Sequence, residues 1–392
     1  MKISKNFMIY LICLFPFLEM PRFGYIQSIN SIFLVFKIAS ALIVALLVLK
    51  YRNINKLNSF IIVYCFIIII STIINKGEIF NTISDAIGII VPFFLIDIYL
   101  DKLSLRQLLL PIVVILTIYA SITSIQILKV PFNIFVVHGL RDNYTSLFYD
   151  QYGPVFALGD TKRFSFMILP LVTFMLLLNK KFKKSFFSKI CTAYICSISM
   201  FILTYCWAVS AMIMLTILIF TYIFLEINKN FFITKIINAK IFFYLYIILN
   251  ILLTMTSFVD KFGTLLAVFG KSITLSGRTY IWQRGIEYIK LKPILGYGVN
   301  TELTMNRFWN LVHLHNYLIN CLYIGGIILM ITILYILYML QKKLSSNISL
   351  DSAKILSAAY IGFLILSLTD TVEYNILFMM FPLMYKPEKL KI

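Results

Sequence analysis

The chain has 392 residues, of which 61% are hydrophobic and only 13% charged, whereas a soluble domain is about half apolar and about a quarter charged. The apolar runs are long and continuous, which excludes a β-barrel, whose short strands alternate apolar and polar residues. The net charge of +19 would suggest nucleic acid in a soluble protein. Here much of the excess lies in short loops between apolar runs, where lysine sets orientation in a bilayer, so no nucleic-acid partner is expected.

Taken in order, Lys2 and Lys5 precede an apolar run that mimics a signal peptide. Glu19-Met20-Pro21-Arg22 follows without a small-residue cleavage site, so the run reads as an uncleaved first span, residues 7–20. Further spans are expected at residues 29–49, 58–74, 79–99, 107–128, 164–178, 189–205, 209–227, 241–257, 316–340 and 353–368, with a short one at 374–384. The expected fold is therefore an all-α polytopic integral membrane protein with about twelve transmembrane helices. It forms one transmembrane domain over residues 1–392, without internal repeats or a separate soluble domain.

With the N-terminus inside, the inner loops carry Lys50/Arg52/Lys56, Lys102/Arg106, Lys180/Lys181/Lys183/Lys184, Lys229/Lys235/Lys240 and Lys342/Lys343, and the tail carries Lys386/Lys389/Lys391. The short outer loops hold Arg22, Lys76 and the acidic Asp370/Glu373. This is the positive-inside asymmetry, and it puts both termini in the cytoplasm. It also puts the two long loops, residues 129–163 and 258–315, on the outer face together. Such long loops are uncommon and usually functional.

Inside the spans, Lys37 needs a partner or a wet cavity. Asp85 and Asp97 of the fourth span are the candidates, and the other reading is that Lys37 snorkels to an interface. Cys13, Cys65, Cys191, Cys196, Cys206 and Cys321 lie in or beside apolar runs. They lack metal or disulfide spacing and read as small apolar residues.

The chemistry concentrates in the outer loops. In the main one, Ser276-Gly277 is followed by an amphipathic helix expected over residues 279–292. Trp282, Ile286 and Ile289 share one face, while Arg278, Arg284 and Glu287 lie off it. Arg278 at the helix start could hold phosphate oxygens, or it could be a solvated arginine near headgroups. His315, at the start of the next span, could act as a base near neutrality, or be an interfacial histidine with a satisfied hydrogen bond. Asn316 could orient a substrate or the loop, and His313 is the second choice for the base. In the first long loop, Arg163 precedes an apolar run and falls at the depth expected of His315. His138, Arg141, Asp142, Asp150 and the cluster Tyr144, Tyr149 and Tyr152 lie upstream of it. The remaining candidate for substrate binding is Arg307, with Arg284 and Arg141.

Ser276-Gly277-Arg278, Trp282, Pro293-x-x-Gly296-Tyr297-Gly298 and His315-Asn316 with Gly326 after it together resemble the O-antigen ligase/polymerase superfamily. That superfamily includes O-antigen ligases and Wzy-type O-antigen and capsule polymerases. Arg163-Phe164-Ser165 is a weaker match, and Leu329 stands where the family has a second glycine, a departure expected to loosen helix packing.

The resemblance implies a metal-independent glycosyltransferase of the C-type membrane architecture, without a cofactor, on the outer face of the bacterial inner (cytoplasmic) membrane. Its donor would be a glycan on undecaprenyl diphosphate. Its acceptor would be a lipid-linked repeat unit in a polymerase, or a lipid A core sugar in a ligase. Arg278 and Arg163 would serve the diphosphate and His315 the acceptor hydroxyl. A chain-length regulator and a flippase are candidate partners. A third reading, a polysaccharide flippase or transporter, would use Lys37, Asp85 and Asp97 instead.

Overall fold

The computed structural model describes residues 4–21, 23, 26–51, 54–129, 149–150, 153–160, 164–182, 185–206, 208–227, 237–254, 278–299, 314–372 and 375–390. In chain order they form α1 (Lys5–Leu14) with a 3-10 turn (Phe15–Leu18), α2 (Gln27–Tyr51), α3 (Lys56–Ile74), α4 (Ile79–Tyr99) and α5 (Leu105–Lys129). Three short antiparallel strands follow, β1 (Tyr149–Asp150), β2 (Gly153–Phe156) and β3 (Gly159–Asp160). Then come α6 (Phe164–Lys181), α7 (Phe186–Tyr205), α8 (Val209–Glu226), α9 (Ala239–Thr254), α10 (Arg278–Leu291), α11 (Tyr317–Ser346) and α12 (Asp351–Thr369). A 3-10 turn (Asn375–Met379), α13 (Met380–Tyr385) and a last 3-10 turn (Pro387–Leu390) complete the described chain.

Each apolar run expected to span is helical over most of its described residues. Among the described residues nine helices are long and apolar enough to cross a membrane, and Lys5–Leu18, Ala239–Leu253 and Asn375–Tyr385 are shorter apolar segments. The chain is a polytopic helical membrane protein. Alternation of these helices gives two ends, one carrying the lysine-rich connections and the other carrying His315.

The helices are not equally enclosed. The apolar window of α6 is 94% buried and that of α12 83%, against 11% for α2. The bundle is therefore built around α6 and α12, which pack on each other, with α5 and α7 beside α6 and α8, α9 and α11 beside α12. The remainder of α2 faces outward, with Leu42, Leu46 and Leu49 exposed as on a lipid-facing surface.

At the lysine-rich end, ion pairs join helix ends that are distant in sequence. Asp351 accepts Lys180 and Lys354, each at 3.1 Å, and Lys180 also reaches Glu226 at 3.4 Å. Both ammonium groups are almost fully buried, so their shared carboxylate matters to stability. Removing one partner of a buried pair costs about 3–5 kcal/mol, and Asp351→Ala is expected toward the lower limit because Lys180 keeps Glu226. The thermal midpoint of the detergent-solubilised protein should fall by several degrees, and an unchanged midpoint would show these lysines to be hydrated.

Lys37 does not meet the expected partners. It pairs with Glu19 at 2.5 Å, rather than with Asp85 or Asp97. Asp97 lies near the opposite end, pairs with Lys386 at 2.5 Å and accepts from Asn55 and Asn58. The sequence reading put Glu19 at the end of the first span, residues 7–20, but α1 ends at Leu14 and the 3-10 turn after it brings Glu19 to Lys37. Two of the three charges invoked for a transporter, Lys37 and Asp97, thus belong to separate structural pairs.

One helix is interrupted. α11 breaks at Gly326, whose φ is 65° and ψ −163°. Chain from the Pro293-x-x-Gly-Tyr-Gly motif fills the gap. Tyr297 N–H donates to Tyr323 C=O at 2.8 Å, Gly298 N–H to Ile324 C=O at 2.9 Å, and Ile327 N–H to Pro293 C=O at 2.8 Å. From α3, the Ser71 hydroxyl donates to Ile324 C=O at 2.7 Å and the Asn75 amide to Gly296 C=O at 3.2 Å. A free backbone polar group in a bilayer core costs several kcal/mol, so a non-helical stretch survives there only when the protein satisfies it. The motif supplies those partners. Leu329 does not loosen the packing here: it is 1% exposed and its side chain covers Gly325.

Candidate functional site

Three groups from distant parts of the chain meet where α10, α11 and α12 converge at the second end of the bundle. His315 lies in the bend before α11, with a left-handed φ of 48° and 8% exposure. Its Nδ1 is 3.2 Å from Oδ1 of Asp370. Asp370 caps the C-terminus of α12, and the same oxygen accepts from Thr371 N–H at 2.9 Å. Arg278 opens α10 and feels the Asp370 charge. Burial pulls its guanidinium below the ordinary arginine value, and Asp370 opposes that pull. A carboxylate thus pairs with the imidazole and lies within electrostatic reach of a basic fork.

Helix α10 explains how Arg278 gets there. At 100° per residue, Arg278 falls on the same face as Trp282, Gly285 and Ile289. Trp282 and Ile289 are buried in a cluster with Tyr297, Leu314, Ile319 and Tyr323. The expectation that Arg278 lies off the apolar face is therefore corrected: it extends that face toward Asp370. Arg284, by contrast, lies on another side of the helix, with its guanidinium 6.0 Å from the Tyr288 ring centroid. It is not brought to the His315–Asp370 pair by helix geometry.

The bend holding His315 is fixed on both sides. Before it, Leu314 N–H donates to Asn320 Oδ1 at 3.3 Å and Leu314 C=O accepts the Trp282 indole N–H at 2.8 Å. After it, Asn316 caps α11 by accepting Ile319 N–H at 3.0 Å. The Asn316 amide donates to Asn250 Oδ1 at 2.8 Å and to Leu368 C=O at 3.1 Å. Asn316 is fully buried. Both ends of its amide serve the protein, so of the two roles expected of Asn316 the structure shows the one that orients the loop, as a cap that holds the bend.

Arg163, Arg141, Arg307 and His313 lie outside the described residues. The strands preceding Arg163 are partly described. Ala157 and Leu158, at the turn between β2 and β3, are fully buried, and their N–H groups donate to Gln126 and Thr123 of α5. The first long loop is therefore pinned against the bundle just before α6. Among the described residues, no group of three or more His, Cys, Asp or Glu side chains gathers to hold a metal.

Sequence reasoning missed Asp370 as a site residue and used it only in the charge asymmetry. The available signal was an acidic side chain directly following an apolar run, on the connection predicted to share a face with His315.

The fold and the site define a polytopic membrane protein with a partly buried Arg–Asp–His constellation at one end of its bundle. The sequence model of a family described as O-Antigen ligase matches residues 156–334, just under half of the chain. That span includes Arg278 and His315 and stops before Asp370. Over 34 residues the chain is 56% identical to the exopolysaccharide production protein ExoQ of Rhizobium meliloti (strain 1021), a stretch covering 9% of this chain and 8% of that protein. Both similarities support the O-antigen ligase-like superfamily.

Proposed function

We propose that this protein is a membrane glycosyltransferase of polysaccharide synthesis, a polymerase that moves a glycan from undecaprenyl diphosphate to a lipid-linked repeat unit. The observation that carries the proposal is the convergence of Arg278 and His315 on Asp370. In this reading the acceptor hydroxyl attacks the anomeric carbon, the bond from that carbon to the diphosphate oxygen breaks, and the hydroxyl proton passes to His315. Asp370 holds the Nδ1 side of the ring, and Nε2 is the nitrogen to which we assign that proton. Diphosphate leaves as an anion and needs charge stabilisation more than protonation, which an arginine at a helix N-terminus supplies. Arg163 would be the second such group, and Arg141, Arg284, Arg307 and His313 further contacts to the glycan.

The reaction is assigned to the outer face of a bacterial inner membrane, because the lysine-rich connections mark the opposite end as cytoplasmic. A chain-length regulator and a flippase would act alongside it. A ligase with the same chemistry and a lipid A core acceptor is the second reading, favoured by the description of the matching family.

Glycolipids from a deletion strain discriminate the two. Loss of a polymerase leaves single repeat units on undecaprenyl diphosphate, whereas loss of a ligase strands long chains on that anchor. An unchanged glycolipid profile removes both readings.

A further inference from the structure

We propose that Trp282 is a positioning residue that keeps His315 aimed at its reaction, tying the base to the helix that carries Arg278. The inference rests on the reading of His315 as the base. A histidine with φ near +50° is uncommon, and such backbone persists only where its neighbours impose it. His315 has that conformation, and Leu314 before it is held at three points. Its carbonyl takes the Trp282 indole N–H at 2.8 Å, and its N–H goes to Asn320 at 3.3 Å. Its side chain lies so close to Gly285 that a Cβ there would be 2.9 Å from Leu314 Cδ1. Two of these three anchors belong to α10. Trp282 sits one turn from Arg278 on the same face, so the helix that presents the guanidinium also sets the peptide next to the imidazole. The Trp282 ring is 1% exposed, and its N–H has this one hydrogen bond. The indole is therefore placed to link two groups of the site, and it does not touch substrate.

The test compares Trp282→Phe, which keeps the ring and deletes the N–H, with Tyr297→Phe. The latter removes a hydrogen bond from the same apolar cluster, that of the Tyr297 hydroxyl to Tyr288 C=O, without touching the His315 bend. Membranes with matched protein amounts are titrated with lipid-linked glycan extracted from the deletion strain. Trp282→Phe should lower kcat about 10- to 100-fold with KM for that donor unchanged, since a misplacement of about 1 Å can cost that much. Tyr297→Phe should change neither. If Trp282→Phe does not accumulate, Asn320→Leu should show the same kcat loss and Asn320→Asp, which keeps an acceptor, should restore it. Equal losses in the Trp282 and Tyr297 variants, or a raised KM at constant kcat, overturn the positioning role. So does an unchanged Trp282→Phe beside an inactive His315→Ala. Full activity in His315→Ala overturns the base assignment itself.

Discussion

Replacing His315 with Ala should abolish long-chain glycan while leaving the protein at its normal level in the membrane. A positioned base typically contributes about 10²–10⁴-fold, enough to reduce a polymer ladder to its first rung. The backbone argues for a clean loss, because alanine removes the ring without disturbing Leu314 or Asn316, whose partners lie elsewhere. Asp370→Asn should give a smaller loss. It removes a charge beside Nδ1 and keeps the shape, and a hydrogen bond to a charged group contributes about 1.5–3 kcal/mol, or roughly 10- to 100-fold in rate. Arg278→Ala should fall nearer the His315 variant, and Arg278→Lys should recover only part, since lysine lacks the fork that grips two phosphate oxygens. The readout is the length distribution of the glycan, normalised to protein in the membrane. Wild-type chain length in His315→Ala would remove the base assignment.

The second large effect is structural. Gly326→Val should prevent the protein from reaching its native fold. The glycine has φ 65° and ψ −163°, close to a region that only glycine populates readily. A Cβ there would lie inside contact distance of the Ile294 carbonyl. Either α11 closes its break or the segment after Pro293 leaves its seat, and the three backbone bonds across the gap are then lost. Gly298→Val should act similarly, because its φ is 72° and a Cβ would lie 2.6 Å from the Thr72 backbone. Each is expected to exceed about 4 kcal/mol, the range reached by few single substitutions. Membrane abundance and limited proteolysis report it; normal abundance with an unaltered digestion pattern would mean that the gap has another solution.

What was legible in the sequence follows from how the information is stored. The helices could be read because each apolar run carries its own signal, and even the short segments at residues 7–20 and 374–384 were found. The expectation that the two long loops share a face rested on lysine placement, and most of both loops lies outside the described residues. Asp370 could not be read as a partner of His315, because 55 residues separate them and only the packing of α11 on α12 brings them together. Arg278 was put on the wrong face for a related reason. Amphipathic patterning assigns charges to solvent, and a site that buries an arginine breaks that pattern where function needs it. Asn316 was given two roles, orienting a substrate or the loop, and its side-chain bonds within the protein serve the second.

The ion pair between Glu19 and Lys37 bears on how the protein is made. Eighteen residues separate the two, on segments that leave the ribosome one after the other. A lone ionised side chain raises the insertion free energy by about 2.5–3.5 kcal/mol at mid-helix, and α1 is too short to offset that easily. Joined, the two charges neutralise each other. The first two segments are thus suited to enter the translocon's lateral gate as a hairpin, with Lys37 needed before Glu19 can leave water.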